Sequence, residues 1–145
     1  MTIEWRPDDS LSERNTKGQT KGALRASAAL RRRKIRLGNG IITSRDPGMA
    51  AATRDLKRTG MPPGVESWQL PIPFFGLNWF WTCFDPFTVV PMHSHDHDSL
   101  RFVVSGELKF GRKTLKAGDW MFVPAGQAYS VRTGSLKVCV LYPHP

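Results

Sequence analysis

Cysteine is scarce in this chain: Cys83 and Cys139 are the only two in 145 residues. Two thiols cannot staple a disulfide scaffold, and they have no metal-type spacing. Both sit in apolar, strand-like runs, so buried reduced thiols in a reducing, cytoplasmic setting are expected. The opening MTIEWRPDDS has acids where a signal peptide needs a basic and then an apolar region, so no secretory signal is read. Long hydrophobic runs are missing too. The longest charge-free stretch, Ser67 to Phe84, contains Pro71, Pro73, Gly76, Gln69 and Asn78 and barely reaches spanning length, which argues against a membrane partner. Aromatics are nearly absent from the first sixty residues, where Trp5 stands alone, although 15 Phe, Trp and Tyr occur in the whole chain. No internal repeat is visible.

Charge divides the chain at the same place. The net charge is +9, and almost all of it belongs to residues 1–60. The chain therefore reads as a basic arm and linker, 1–60, followed by an almost neutral, aromatic-rich domain, 61–145. A nucleic-acid reading drawn from the total charge would misplace it, because the folding part is not basic.

Lys21 to Leu37 carries seven basic residues and no acid. Its alanines and Leu24, Leu30 and Leu37 fit a short helix, with Gly38-Asn39-Gly40 as the stop. The apolar face is thin, so the expectation is a solvated extension that packs loosely or not at all. Arg31, Arg32, Arg33, Lys34 and Arg36 offer a nucleic acid or an acidic partner a contact surface. No helix-turn-helix, zinc finger or RNA-binding aromatic pair accompanies them. Residues 38–65 read as linker.

After Gly64 the pattern changes to short strands with turn residues every eight to twelve positions, and no helical periodicity persists. Strands are expected at Glu66–Leu70, Leu77–Phe84, Thr88–His95, Leu100–Phe110, Trp120–Val123, Ala128–Arg132 and Leu136–Tyr142. The fold class is all-β, a sandwich or barrel.

Two segments carry chemistry. One is Pro91-Met92-His93-Ser94-His95-Asp96-His97-Asp98-Ser99, leading to Ser105-Gly106-Glu107-Leu108. The other is Gly118-Asp119-Trp120-Met121-Phe122-Val123-Pro124-Ala125-Gly126. In this order, with a short hairpin between, they resemble the two motifs of the cupins, G(X)5HXH(X)3-4E(X)6G and G(X)5PXG(X)2H(X)3N. The resemblance covers residues 75–142 and implies a small jelly-roll β-barrel. It also implies a mononuclear divalent transition metal (Fe, Zn, Ni, Mn or Cu) at His93 and His95. Two of the family's four ligand positions differ here: Ser99 stands at the glutamate and Tyr129 at the second-motif histidine.

Alternation along a regular strand puts His93, His95, His97, Ser99 and Arg101 on one side. His97 is then a third candidate ligand and Asp98 a weaker one, and imidazoles suit transition metals better than hard cations. Tyr129, facing the histidines, is a candidate proton donor or acceptor. Arg101 on the inward side needs an anion, which points to an acidic ligand. Trp79 and Trp81 are candidates for the floor of an apolar pocket.

Three readings of function follow. The first is a metal-dependent cupin enzyme (dioxygenase-like, isomerase or lyase) acting on a small, anionic organic molecule. The second is a cupin that only binds such a molecule. The third is a tethering protein working through its arm. The same alternation turns Leu100, Phe102 and Val104 outward, where either the Ile41-Ile42 segment or, as favoured here, a second copy in a homodimer would cover them.

Overall fold

The computed structural model describes residues 2–38 and 40–144, so Asn39 of the expected helix stop lies outside the described residues. Among the described residues, nine strands form two antiparallel sheets. In chain order they are β1 (Val65–Gln69), β2 (Asn78–Phe84), β3 (Val89–His93), β4 (Ser99–Ser105), β5 (Glu107–Phe110), β6 (Lys113–Lys116), β7 (Trp120–Val123), β8 (Tyr129–Thr133) and β9 (Val138–His144). One sheet runs β1-β2-β9-β4-β7 and the other β3-β8-β5-β6. Their inner faces supply one core, with Phe80, Phe84, Val90, Val103, Leu108, Met121, Val123, Tyr129, Val131, Val138, Val140 and Tyr142. This is the all-β jelly roll that the motifs imply.

The expected strand Leu100–Phe110 is in fact two. Gly106 has φ +78°, and a Cβ there would overlap the Lys137 carbonyl. A side-chain-free residue lets the chain turn there from the first sheet into the second. Strand β6 was not anticipated because its Lys-Thr-Leu-Lys is an edge piece with little buried on either face. Strand β3 stops at His93 instead of His95, so residues 94–98 leave strand geometry.

Cys83 and Cys139 stand directly opposite each other in the β2–β9 ladder and are joined as a disulfide, with Cα atoms 4.2 Å apart. The expectation of free thiols is corrected. Each cysteine fits its own apolar run, and only the register between distant strands brings them together. The pairing also removes the cysteine argument for a reducing compartment. No helix among the described residues is long and apolar enough to cross a membrane.

The N-terminal segment is not a loose extension. A helix, α1 (Lys21–Arg32), starts where Thr20 Oγ1 accepts the Ala23 N–H. It buries Ala26 and Ala29 against Ala52 and Leu56, around a second short helix, α2 (Met49–Arg54), within the expected linker. Gly22 meets the Asn78 amide so closely that a Cβ would overlap it, and its carbonyl accepts from Gln69 Nε2. A face of Gly and Ala looks thin by hydrophobicity, yet it allows backbone approach that larger residues would prevent. Arg31, Arg32, Arg33, Lys34 and Arg36 remain exposed.

On the outer side of the large sheet, Trp68, Trp81, Leu141, Phe102 and Trp120 are successive cross-strand partners over β1, β2, β9, β4 and β7. Leu100 is half-buried, and Phe102, Val104, Trp120 and Phe122 are exposed. Ile41 is 96% exposed and covers none of them.

Candidate functional site

The barrel interior holds a wall of imidazoles. His93 is buried at the end of β3, in register with Tyr129 on β8, their ring centroids 4.4 Å apart. Its Nδ1 lies 2.8 Å from the Pro91 carbonyl, which can only accept, so Nδ1 carries the proton and Nε2 the lone pair. His95 follows at 5.0 Å between centroids. Its Nε2 is 3.2 Å from Tyr129 Oη and 3.3 Å from Arg101 Nη2, while its buried Nδ1 has no hydrogen-bond partner. A guanidinium only donates, so Nε2 accepts and His95 is neutral.

Electrostatics agree with that protonation state. Burial, then the Arg101 charge and His93, push the His95 pKa down to about 3. Burial lowers His93 as well, against the Pro91 bond and with help from Arg101. Burial raises the Tyr129 phenol, which Arg101 offsets only in part. At neutral pH the wall therefore presents neutral imidazoles and a protonated phenol.

Arg101, on β4, donates through Nη1 to Ser99 Oγ and lies 4.3 Å from the Tyr142 ring and 5.8 Å from that of Tyr129. Among the described residues its partners are these neutral groups and no carboxylate. The guanidinium thus bonds two of the four positions where the resemblance implies metal ligands, His95 and Ser99, and lies 5.8 Å from the ring at a third, Tyr129. A fixed cation on the lone pair of one ligand, with no carboxylate in the set, does not fit a divalent ion at that seat.

A second group extends the wall. His97 packs 5.6 Å from His95 and 3.9 Å from His144, the last described residue of β9. One nitrogen each of His95, His97 and His144 lies within 4.8 Å of the others. Ser12 Oγ is 2.7 Å from His144 Nδ1, and Asp9 Oδ1 is 3.3 Å from its Nε2. Desolvation opposes ionisation of Asp9, but the bond to His144 and the neighbouring histidines outweigh it and hold its pKa below the ordinary value. His97 is lowered by burial and then by His144.

Residues 4–12 close the barrel over this wall. Met92 exchanges hydrogen bonds with Glu4, and the Trp5 N–H also reaches the Met92 carbonyl. The Trp5 ring stands edge-on to His93 at 4.9 Å, and its Nε1 donates to the Gly60 carbonyl. Arg58 reaches in from the other side, donating to Tyr142 Oη at 3.0 Å and stacking 4.1 Å from Phe80. What remains inside is about 40 Å³, bounded by Trp5, Pro7, Asp9, His93, Tyr129 and His144 among others. That is room for about two or three water molecules.

Of the candidates read from the sequence, His93, His95, His97, Ser99, Arg101 and Tyr129 do come together. Trp79 and Trp81 do not: they alternate with the buried Asn78, Phe80 and Thr82 and lie on the outer face of the sheet, not on a pocket floor. Asp98 is exposed and accepts from the Ala125 N–H instead. His144 and Asp9 were missed. Val138, Val140, Tyr142 and His144 keep one parity, so extending β9 by two residues would have found the histidine. Asp9 was hidden by the reading of the arm as solvated.

The cupin domain profile matches residues 80–142. No curated protein matches the chain. Among solved structures, KdgF from Halomonas sp. is 20% identical, with 60% of this chain and 82% of that one covered at TM-score 0.51. The RmlC-like cupin of Shewanella frigidimarina is 19% identical, over 61% and 91% of the two chains at TM-score 0.50. The complex of SigE with the anti-sigma ChrR from Rhodobacter sphaeroides is 18% identical, over 83% and 59% at TM-score 0.53. At these identities the likeness is one of fold. With both motifs, the strand order and the profile in agreement, residues 80–142 are a small cupin domain.

Proposed function

We propose that this cupin takes the carboxylate of a small organic acid against Arg101 and moves a proton on it, as an isomerase or lyase does. One observation carries the reading: a guanidinium inside the barrel, on the family's metal seat, with no carboxylate to pair it. An unpaired interior cation is costly, and a ligand anion relieves that cost. Tyr129, kept protonated by burial, is the proton donor. His93 Nε2, with its Nδ1 proton fixed on Pro91, is the acceptor. Donor and acceptor rings 4.4 Å apart on one wall suit a proton leaving one atom of a ligand and arriving at another. The ligand enters past residues 4–12, of which Trp5, Pro7 and Asp9 line the pocket.

The test uses the full chain with a panel of small 2-keto and 2-hydroxy acids and their amides. Calorimetry should find acids that bind while their amides do not, and Arg101→Gln should weaken them by about tenfold or more. Solvent deuterium should enter at C3 of a 2-keto acid or C2 of a 2-hydroxy acid, and Tyr129→Phe should slow that exchange. Amides binding as well as acids would remove Arg101 from the site. Tight binding without exchange would leave a binding protein.

We propose also that the outer row Trp68, Trp81, Leu141, Phe102 and Trp120 pairs with the same row of a second copy. The row carries no charge, so two copies meet without repulsion, and the segment at Ile41 leaves it open. Light scattering should give a homodimer at tens of micromolar and a monomer for Phe102→Glu. A wild-type monomer would overturn this.

A further inference from the structure

We infer that the barrel has a transition-metal site displaced from the family's seat, formed by His95, His97 and His144 with a carboxylate from Asp9 of the N-terminal segment. It uses a different observation from the anion reading, and its test leaves Arg101 untouched.

Three imidazole nitrogens mutually within 4.8 Å can surround one ion of the zinc class with modest side-chain adjustment. Ligation consumes a lone pair, and each ring has a route to supply one. His95 is 6% exposed, and its Nδ1 is a buried nitrogen with no partner, an arrangement that costs energy unless something binds there. Metal binding at Nδ1 requires the other tautomer: the ring proton moves from Nδ1 to Nε2 and is donated to Tyr129 Oη, 3.2 Å away, whose oxygen can accept it. Arg101 then turns fully to Ser99 and to the ligand anion.

His144 has a switchable partner. A hydroxyl can donate or accept, so Ser12 Oγ can take the Nδ1–H without moving from its 2.7 Å position. That turns the Nε2 lone pair toward Asp9 Oδ1, at 3.3 Å, where an ion between them would gain a carboxylate. His97 is half-buried and packed on His144, their ring centroids 3.9 Å apart. Imidazoles with one carboxylate suit Zn, Co, Ni or Cu better than Mg or Ca. Since Asp9 and Ser12 come from the N-terminal segment, the metal would also hold closed the strap over the barrel.

The discriminating experiment titrates tag-free, chelator-treated full-length protein with Zn2+ and with Co2+. It follows stoichiometry by calorimetry and ligand-field bands by absorption. We expect one ion per chain with tetrahedral-type cobalt bands. His97→Ala and His144→Ala should each weaken binding by at least about tenfold, Asp9→Asn by less, and His93→Ala should leave it unchanged. His144 is buried and its variant could misfold; His97, half-buried, then decides alone. Loss on His93→Ala with retention on His97→Ala would return the metal to the family's seat and overturn the inference. No binding by the wild-type chain would overturn it as well.

Discussion

The two ends of the imidazole wall use one residue type for opposite purposes. At His93 and His95 the neighbours are Arg101, Ser99 and Tyr129, a fixed cation among neutral groups. At His97 and His144 the neighbours are Asp9 and Ser12, a carboxylate and a hydroxyl. The first end favours an anion and the second a cation. Ligand preference is set by side chains around the histidines, two of them from outside both cupin motifs, rather than by the HXH pattern itself.

The strongest way to break the contrast is to make the first end like the family. Ser99→Glu with Tyr129→His restores its four ligands, and adding Arg101→Ala removes the competing cation. The triple variant should bind Zn2+ at least a hundredfold more tightly than the chain with Arg101→Ala alone. The double variant that keeps Arg101 should gain much less, because the new glutamate pairs with the guanidinium. Equal gains in both, measured by competition with a chelator dye, would show that Arg101 does not occupy the seat.

Acid sharpens the contrast next. His95, at about 3, and His93 and His97 by direction have folded-state pKa values below the unfolded one. The unfolded chain then binds more protons, so stability falls as the pH drops below about 6.5. For His95 the loss continues towards pH 3, at up to about 1.4 kcal/mol per pH unit. Arg101→Met should raise His95 more than His97 in a histidine NMR titration and flatten the urea-midpoint profile between pH 6 and 4. An unchanged His95 would mean that its lowering comes from burial alone.

Much of this was legible in the sequence. Alternation along a regular strand put His93, His95, His97, Ser99 and Arg101 on one side and Leu100, Phe102 and Val104 on the other; the strand breaks after His93, yet the first group still gathers at the wall and Phe102 and Val104 are exposed. The motif spacing located Tyr129. What escaped notice depends on packing between distant segments. Gly22, Ala26 and Ala29 have little hydrophobicity, so their close docking left no periodic signal. Asp9 meets His144 across 135 residues, and Cys83 meets Cys139 only through the β2–β9 register. Trp79 and Trp81 were placed inside because aromatic residues were equated with a pocket, whereas their parity is opposite to that of Phe80.

The strap offers a smaller effect. Trp5→Ala removes the edge contact with His93 and the bond to Gly60 while leaving both ends of the wall intact. Acid binding should speed up by a few-fold in stopped-flow mixing, with the equilibrium constant changed less. An unaltered association rate would place the entrance elsewhere.

The central claim, that the two ends prefer opposite charges, is tested most directly by anomalous diffraction. Crystals of the tag-free chain would be soaked in Zn2+ and bromide and measured at both absorption edges. The account predicts zinc at roughly 2.0–2.2 Å from nitrogens of His97 and His144 and bromide against the Arg101 guanidinium. Zinc between His93 and His95, with Arg101 swung away and no bromide beside it, would contradict the account.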